Sequence, residues 1–181
     1  MVRIVQVLAH NPGWSKAYSQ EVQRLQAALD PLQITFHHIG STSIPGLAAK
    51  PTIDMLGVVE DLAELDDRGQ LLSDLGYEAK GENGIPGRRY FRKLAGEVHL
   101  FHIHAFEVGH PEIQRHLDFR DYLRAHPKDA AAYQELKFAL SKKYPLDPIS
   151  YTNGKTDFIL SIDQKAAAWR TANKNKLRNR E

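Results

Sequence analysis

The chain has 181 residues, of which 42% are hydrophobic and 25% charged, with a formal net charge of +2 and no cysteine. That length fits one domain with its own core, and the missing cysteines exclude disulfides and thiolate metal sites. No apolar run reaches the roughly 18 residues of a membrane span, and the near-balanced charge excludes a chain-wide polyelectrolyte binder.

Asn11 and Pro12 suit the start of a first helix, in which Trp14, Tyr18, Val22, Leu25 and Leu29 fall three or four apart. Pro31 ends it. Strands are expected at about 33–39 and 51–59. Asp61 opens a helix carrying Leu62, Leu65, Leu72 and Leu75, and Gly76 closes it. Residues 80–87 are dense in breakers and read as a mobile loop. Two more strands, about 88–94 and 97–106, meet at Ala95-Gly96. Helices then run over roughly 111–125, 128–144 and 153–170, parted by Pro127 and by Pro145-Leu146-Asp147-Pro148. The order predicts an α+β fold, a small mixed sheet covered by helices with a helical C-terminal half.

Basic residues gather at Arg88, Arg89, Arg92 and Lys93, and again at Arg170, Lys174, Lys176, Arg178 and Arg180. The second group reads as a solvated, disordered tail over 171–181, after a single domain over 1–170. RNA attraction is the less favoured reading, so nucleic acid is not an expected partner. The opening Met1-Val2-Arg3-Ile4-Val5-Gln6-Val7 is too short and polar for a secretion signal, which favours a cytoplasmic location.

The segment most suggestive of chemistry is the small-residue turn Gly40-Ser41-Thr42-Ser43 between the first two strands. Small residues let backbone N–H groups approach an anion, and hydroxyls add donors. Alone it is an ordinary turn. Asp54, however, sits in the otherwise apolar strand that follows, where an isolated carboxylate is unfavourable unless paired or metal-bound. In Val98-His99-Leu100-Phe101-His102-Ile103-His104, strand alternation puts His102 and His104 on one face. With Asp54 across the sheet they would form a His, His, Asp ligand set, better suited to Zn, Mn or Fe than to Mg. Solvent-exposed strand histidines are the plainer alternative. Of Arg88 and Arg89, alternation lets only one face a site, where an arginine fork would hold phosphate. Lys50, Lys137 and Lys155 are candidates to neutralise phosphate charge. Arg120 and Arg124 share a helix face and read as surface ion-pairing residues with Asp121.

Taken together, the run from His38 to Asp54, Arg88-Arg89-Tyr90-Phe91, His102-Ile103-His104, Phe119 to Arg124, Leu136-Lys137 and Tyr151-Thr152 with Lys155 resembles the GrpB-like (UPF0157-type) family. The resemblance spans about residues 10–165 and implies a nucleotidyltransferase-like fold. It also implies a link to nucleotide or coenzyme metabolism, because such domains occur fused to dephospho-coenzyme A kinase. Nucleotidyltransferases pair a Gly-Ser turn with an Asp-x-Asp strand and a third acid from a later strand, around two metal ions. Gly40-Ser41 and Asp54 match. Thr52 stands at the partner acid's position, and His102 and His104 lie where the third acid is expected. The implied function is a nucleotidyltransferase-like protein acting on, or only binding, a nucleotide or phosphorylated metabolite. Asp54 and Ser41 would be the catalytic residues. Gly40, Ser41, Thr42, Ser43, Lys50, Arg88, Arg89, Lys137 and Lys155 would hold phosphate, and Asp54, His102 and His104 would hold Mg, Mn or Zn.

Overall fold

A computed structural model describes residues 4–178. Helix α1 (Gly13–Leu29) begins where the Asn11 side chain accepts from the Gly13 N–H at 2.8 Å. Strands β1 (Ile34–Ile39) and β2 (Ile53–Val59) flank the Ser41–Ser43 turn, which is one short 3-10 turn. The helix expected after Asp61 is two pieces, α2 (Leu62–Asp66) and α3 (Gly69–Asp74), with Asp61 capping the first through the Ala63 N–H. Strand β3 (Tyr77–Ala79) was not expected. It is too short for alternation to register, and it exists by pairing along β4 (Arg89–Ala95). Strand β5 (Val98–Glu107) follows.

Helices α4 (Pro111–Ala125) and α5 (Pro127–Lys143) match their expected positions, since each has proline in its first turn. A short α6 (Pro148–Asn153) is additional, capped by Asp147. Helix α7 (Thr156–Arg178) extends through residues 171–178, where a frayed tail was expected; residues 179–181 lie outside the described residues.

The sheet order is β1-β2-β5-β4-β3. Among the described residues only β2 and β5 run parallel, so the sheet is mixed as predicted. One face carries Ile34, Phe36, Ile53, Met55, Ile103 and Phe91 and is covered by α1, α2 and α3. Each large side chain fully buried there, such as Leu25 or Leu29, contributes about 1.5–3 kcal/mol. On the opposite face Ile39, Leu56 and Phe106 pack against Ile113 and Leu117 of α4. A third cluster joins Ile44 and Leu47, just past the turn, to Tyr122, Leu123, Tyr133, Ile162 and Ala166 of the C-terminal helices. The turn is thereby held between the sheet and the helical half, and the candidate site lies at that junction.

Candidate functional site

Gly40 ends β1 with φ at +68°, a conformation that favours glycine. A Cβ at this position would lie 2.6 Å from Oδ2 of Asp54, so glycine is also required sterically. The turn is closed by Ser43, whose hydroxyl donates to the Gly40 carbonyl at 2.7 Å. Helix α4 clamps it from outside. Arg120 donates to the His38 carbonyl at 3.1 Å, and Arg124 donates to the Ser43 carbonyl at 3.1 and 2.7 Å. These two arginines make the expected ion pairs with Asp121, at 2.7 Å from Arg120 and 3.7 Å from Arg124, and in addition satisfy the His38 and Ser43 carbonyls.

The parallel register aligns Asp54 with His102 and Leu56 with His104. Asp54 Oδ1 lies 2.9 Å from His102 Nδ1 and 3.8 Å from His104 Nε2. Burial works against the Asp54 anion, but the hydrogen bond from His102 and the closeness of His104 outweigh it. The carboxyl is held below the usual carboxylate range. Burial lowers the His104 pKa, with Asp54 opposing that shift. The three side chains can each direct one ligand atom so that all lie within 4.8 Å of one another. Nitrogen, nitrogen and oxygen donors fit a divalent transition ion.

A β-bulge adds a fourth group. Lys93 pairs with Phe101 and Leu94 with His99, so Leu100 is the extra residue on β5. Strict alternation would send His99 to the opposite face from His102. The bulge returns it, and His99 Nδ1 lies 2.7 Å from His102 Nε2. Thr52, which replaces the partner acid, donates its hydroxyl to the His99 carbonyl at 3.0 Å.

Asp54, His102 and His104 open into a cavity of about 400 Å³ lined by both halves of the molecule. Of the expected residues it is lined by Gly40, Ser41, Thr42, Lys50, Asp54, His102, His104, Lys137 and Lys155. Three expected phosphate ligands lie elsewhere. The Ser43 hydroxyl is committed to the turn. Arg89 points away and holds Asp66 in a two-point pair at 2.7 Å. Arg88 is buried behind His104, donating to the Glu82 and Asn83 carbonyls of the 80–87 loop at 3.0 and 2.6 Å. That loop, expected to be mobile, is tied down by this side chain.

Four cations reach the cavity from separate elements. Lys137 of α5 donates to the Ala48 carbonyl and lies over the Tyr133 ring, and burial pulls its amine down to about 7. Lys155 lies over the Tyr151 ring, with its amine lowered to about 8 by burial and then by the charge of Lys50. Lys50 contacts the same ring. Arg115, which sequence reasoning did not single out, is balanced by Glu112 and Asp163 at 2.7 and 3.2 Å. His116 was also missed. Burial, with the Arg115 charge next, depresses it to about 3, so it enters the site neutral. In the sequence, the signal for them is their spacing from Glu112, three residues to Arg115 and four to His116.

The family model for GrpB protein matches residues 4–165. The UPF0157 protein YqkA of Bacillus subtilis is 42% identical over 96% of this chain, which spans 50% of that protein's length. A dephospho-CoA kinase of Mycolicibacterium paratuberculosis is 27% identical over 91% of this chain, matching 46% of its own length. Among solved structures, the conserved protein GrpB of Enterococcus faecalis superposes with a TM-score of 0.85 at 38% identity, covering 89% of this chain and 96% of that one. Cid1, solved in complex with its short product ApU, superposes with a TM-score of 0.51 at 14% identity, over 75% of this chain and 43% of its own. The latter likeness is one of fold, and it identifies the fold as nucleotidyltransferase-like. On the family match and on these identities, the chain belongs to the GrpB family.

Proposed function

We propose that the cavity binds a nucleotide or phosphorylated metabolite against the Gly40-Ser41 turn and transfers a phosphoryl or nucleotidyl group with the help of a divalent ion. The observation that carries this reading is the cavity's composition. Lys50, Lys137 and Lys155 face a single carboxylate, Asp54, across about 400 Å³. Two of those amines are held at lowered pKa by burial, so an incoming anion would restabilise their charged forms. Ser41 and Thr42 would donate hydroxyls to phosphate. Asp54 with a histidine neighbour would hold the ion, which when bound would supply Lewis-acid polarisation of a phosphate oxygen. The lysines would balance charge developing on the leaving group.

A second reading has its own support. Thr52 stands where a second metal-binding acid is expected, and its hydroxyl is engaged by the His99 carbonyl. A site with one carboxylate supports a binding module that holds the ligand without turnover. The match to part of a dephospho-CoA kinase is consistent with such an accessory role. RNA recognition by the central arginines is not supported, because Arg88 is buried and Arg89 is paired with Asp66. Among the described residues no helix is long and apolar enough to cross a membrane.

The test is a thermal-shift screen of nucleotides and phosphorylated metabolites with Mg, Mn and Zn, repeated on Asp54→Asn. Binding raises the melting temperature by mass action. An ion-dependent shift lost in the variant supports the transferase reading and calls for turnover assays. A shift indifferent to the ion supports the module. No shift with any ligand removes both.

A further inference from the structure

The Asp54, His102 and His104 group is not a symmetric chelate, and the reason lies behind it. Arg88 is 5% exposed and pinned on several sides. Its Nε donates to the Glu82 carbonyl, its Nη2 donates to the Asn83 carbonyl, and the guanidinium lies over the Tyr90 ring at 5.0 Å. The remaining nitrogen, Nη1, faces His104 Nδ1 at 3.3 Å. A guanidinium carries only donors. A proton on His104 Nδ1 would set two donors against each other, so Nδ1 accepts and the ring proton sits on Nε2. That nitrogen is the one turned toward Asp54. His104 therefore presents an N–H to the site and not a lone pair.

His102 differs, because in the ion-free site its Nδ1–H donates to the Asp54 carboxylate but no fixed donor holds it in that tautomer. Its Nδ1 faces Asp54 and its Nε2 faces His99 Nδ1 at 2.7 Å. An imidazole can either donate or accept, so His99 tolerates a proton on either nitrogen of His102. When His102 gives its Nδ1 lone pair to a metal, its Nε2–H can donate to His99, which is how outer partners orient metal-bound histidines.

Resting on the phosphate-site reading above, we infer that His104 is an N–H donor to the bound anion, fixed in that role by Arg88. The divalent ion is held by Asp54 and His102 alone. Two protein ligands leave most of an ion's coordination positions to be filled by ligand oxygens and water. The occupant of the cavity is accordingly an ion complexed to a di- or polyphosphate, and ion and phosphate bind cooperatively.

Long-range proton–nitrogen correlation spectra of the 15N-histidine-labelled full chain test this directly, with His104→Gln and His102→Gln assigning the signals. In the ion-free protein, His104 should show a protonated Nε2 and a bare Nδ1. Adding Zn with pyrophosphate should move His102 Nδ1 to a metal-bound position and leave His104 protonated at Nε2. His104→Leu, which keeps no donor, should weaken pyrophosphate binding about tenfold, the loss of one hydrogen bond to a charged group. In Arg88→Met, the Nδ1–H form of His104 should appear; if that variant does not fold, the wild-type spectra still decide. A proton on His104 Nδ1, or a metal-bound His104, overturns the inference. The expected His104 form with no response of His102 to Zn and pyrophosphate would overturn the metal-assisted reading while upholding the donor role of His104.

Discussion

Replacing Lys137 by methionine separates what this residue does for the fold from what it does for the ligand. The residue is 2% exposed, and burial pulls its amine from 10.5 to about 7. A tenfold change in proton affinity is ~1.4 kcal/mol, so holding this amine charged inside the fold is unfavourable by on the order of 5 kcal/mol. Between pH 7 and 10.5 the unfolded chain carries a proton that the folded one lacks. The wild type therefore gains stability as pH rises through that window, and below about pH 7 the full penalty is present. Methionine removes the penalty but leaves the buried Ala48 carbonyl without its donor, a loss of about 1–3 kcal/mol. The two effects predict a sign change. Lys137→Met should be more stable than wild type by roughly 2–4 kcal/mol at pH 6 and less stable by about 1–3 kcal/mol near pH 10. Urea denaturation at several pH values measures this. At pH 7, added pyrophosphate should stabilise the wild type and have a much smaller effect on the variant. A stability difference that does not vary with pH would refute the reasoning, because it would mean that the amine stays charged throughout.

Other substitutions probe the rest of the site and its frame. Gly40→Ala forces a side chain into a left-handed conformation 2.6 Å from Asp54, and a loss of about 1–3 kcal/mol with loss of ligand-induced stabilisation is expected in thermal denaturation. Arg89→Ala should change stability by less than about 1 kcal/mol and leave pyrophosphate affinity unaltered by calorimetry, because its pair with Asp66 is at the surface. Arg88→Ala, which strips donors from two loop carbonyls, should lose roughly 2–4 kcal/mol, with faster amide exchange confined first to residues 80–87. On the far face, Glu21 is 4% exposed and accepts from both Lys93 and Tyr77. Glu21→Ala should lower stability by about 2–4 kcal/mol in urea titrations without changing ligand affinity, because it leaves the half-buried Lys93 ammonium without its carboxylate and the Tyr77 hydroxyl without its acceptor.

Much of this protein follows from local sequence. The proline and asparagine signals and the three-to-four spacing place α1, α4 and α5, because a helix is defined by contacts within its own turns. Alternation alone puts His102 and His104 on one face, and the Gly40-Ser41 turn and the isolated Asp54 are legible as chemistry because they break the surrounding pattern. What tertiary structure decided is which of these residues meet. The parallel register of β2 on β5, a contact across 48 positions, brings Asp54 to His102. The bulge at Leu100 reverses the side of His99, and no period in the sequence marks it. Arg88 and Arg89 are adjacent, yet one is buried behind His104 and the other pairs with Asp66, a choice made by the partner strand and the loop. Lys137, Arg115 and His116 come from helices that periodicity places correctly but cannot orient, and Lys155 comes from the turn between α6 and α7. Periodicity tells which face of an element is apolar; only the packing of that face against the rest of the chain sets what its polar residues confront.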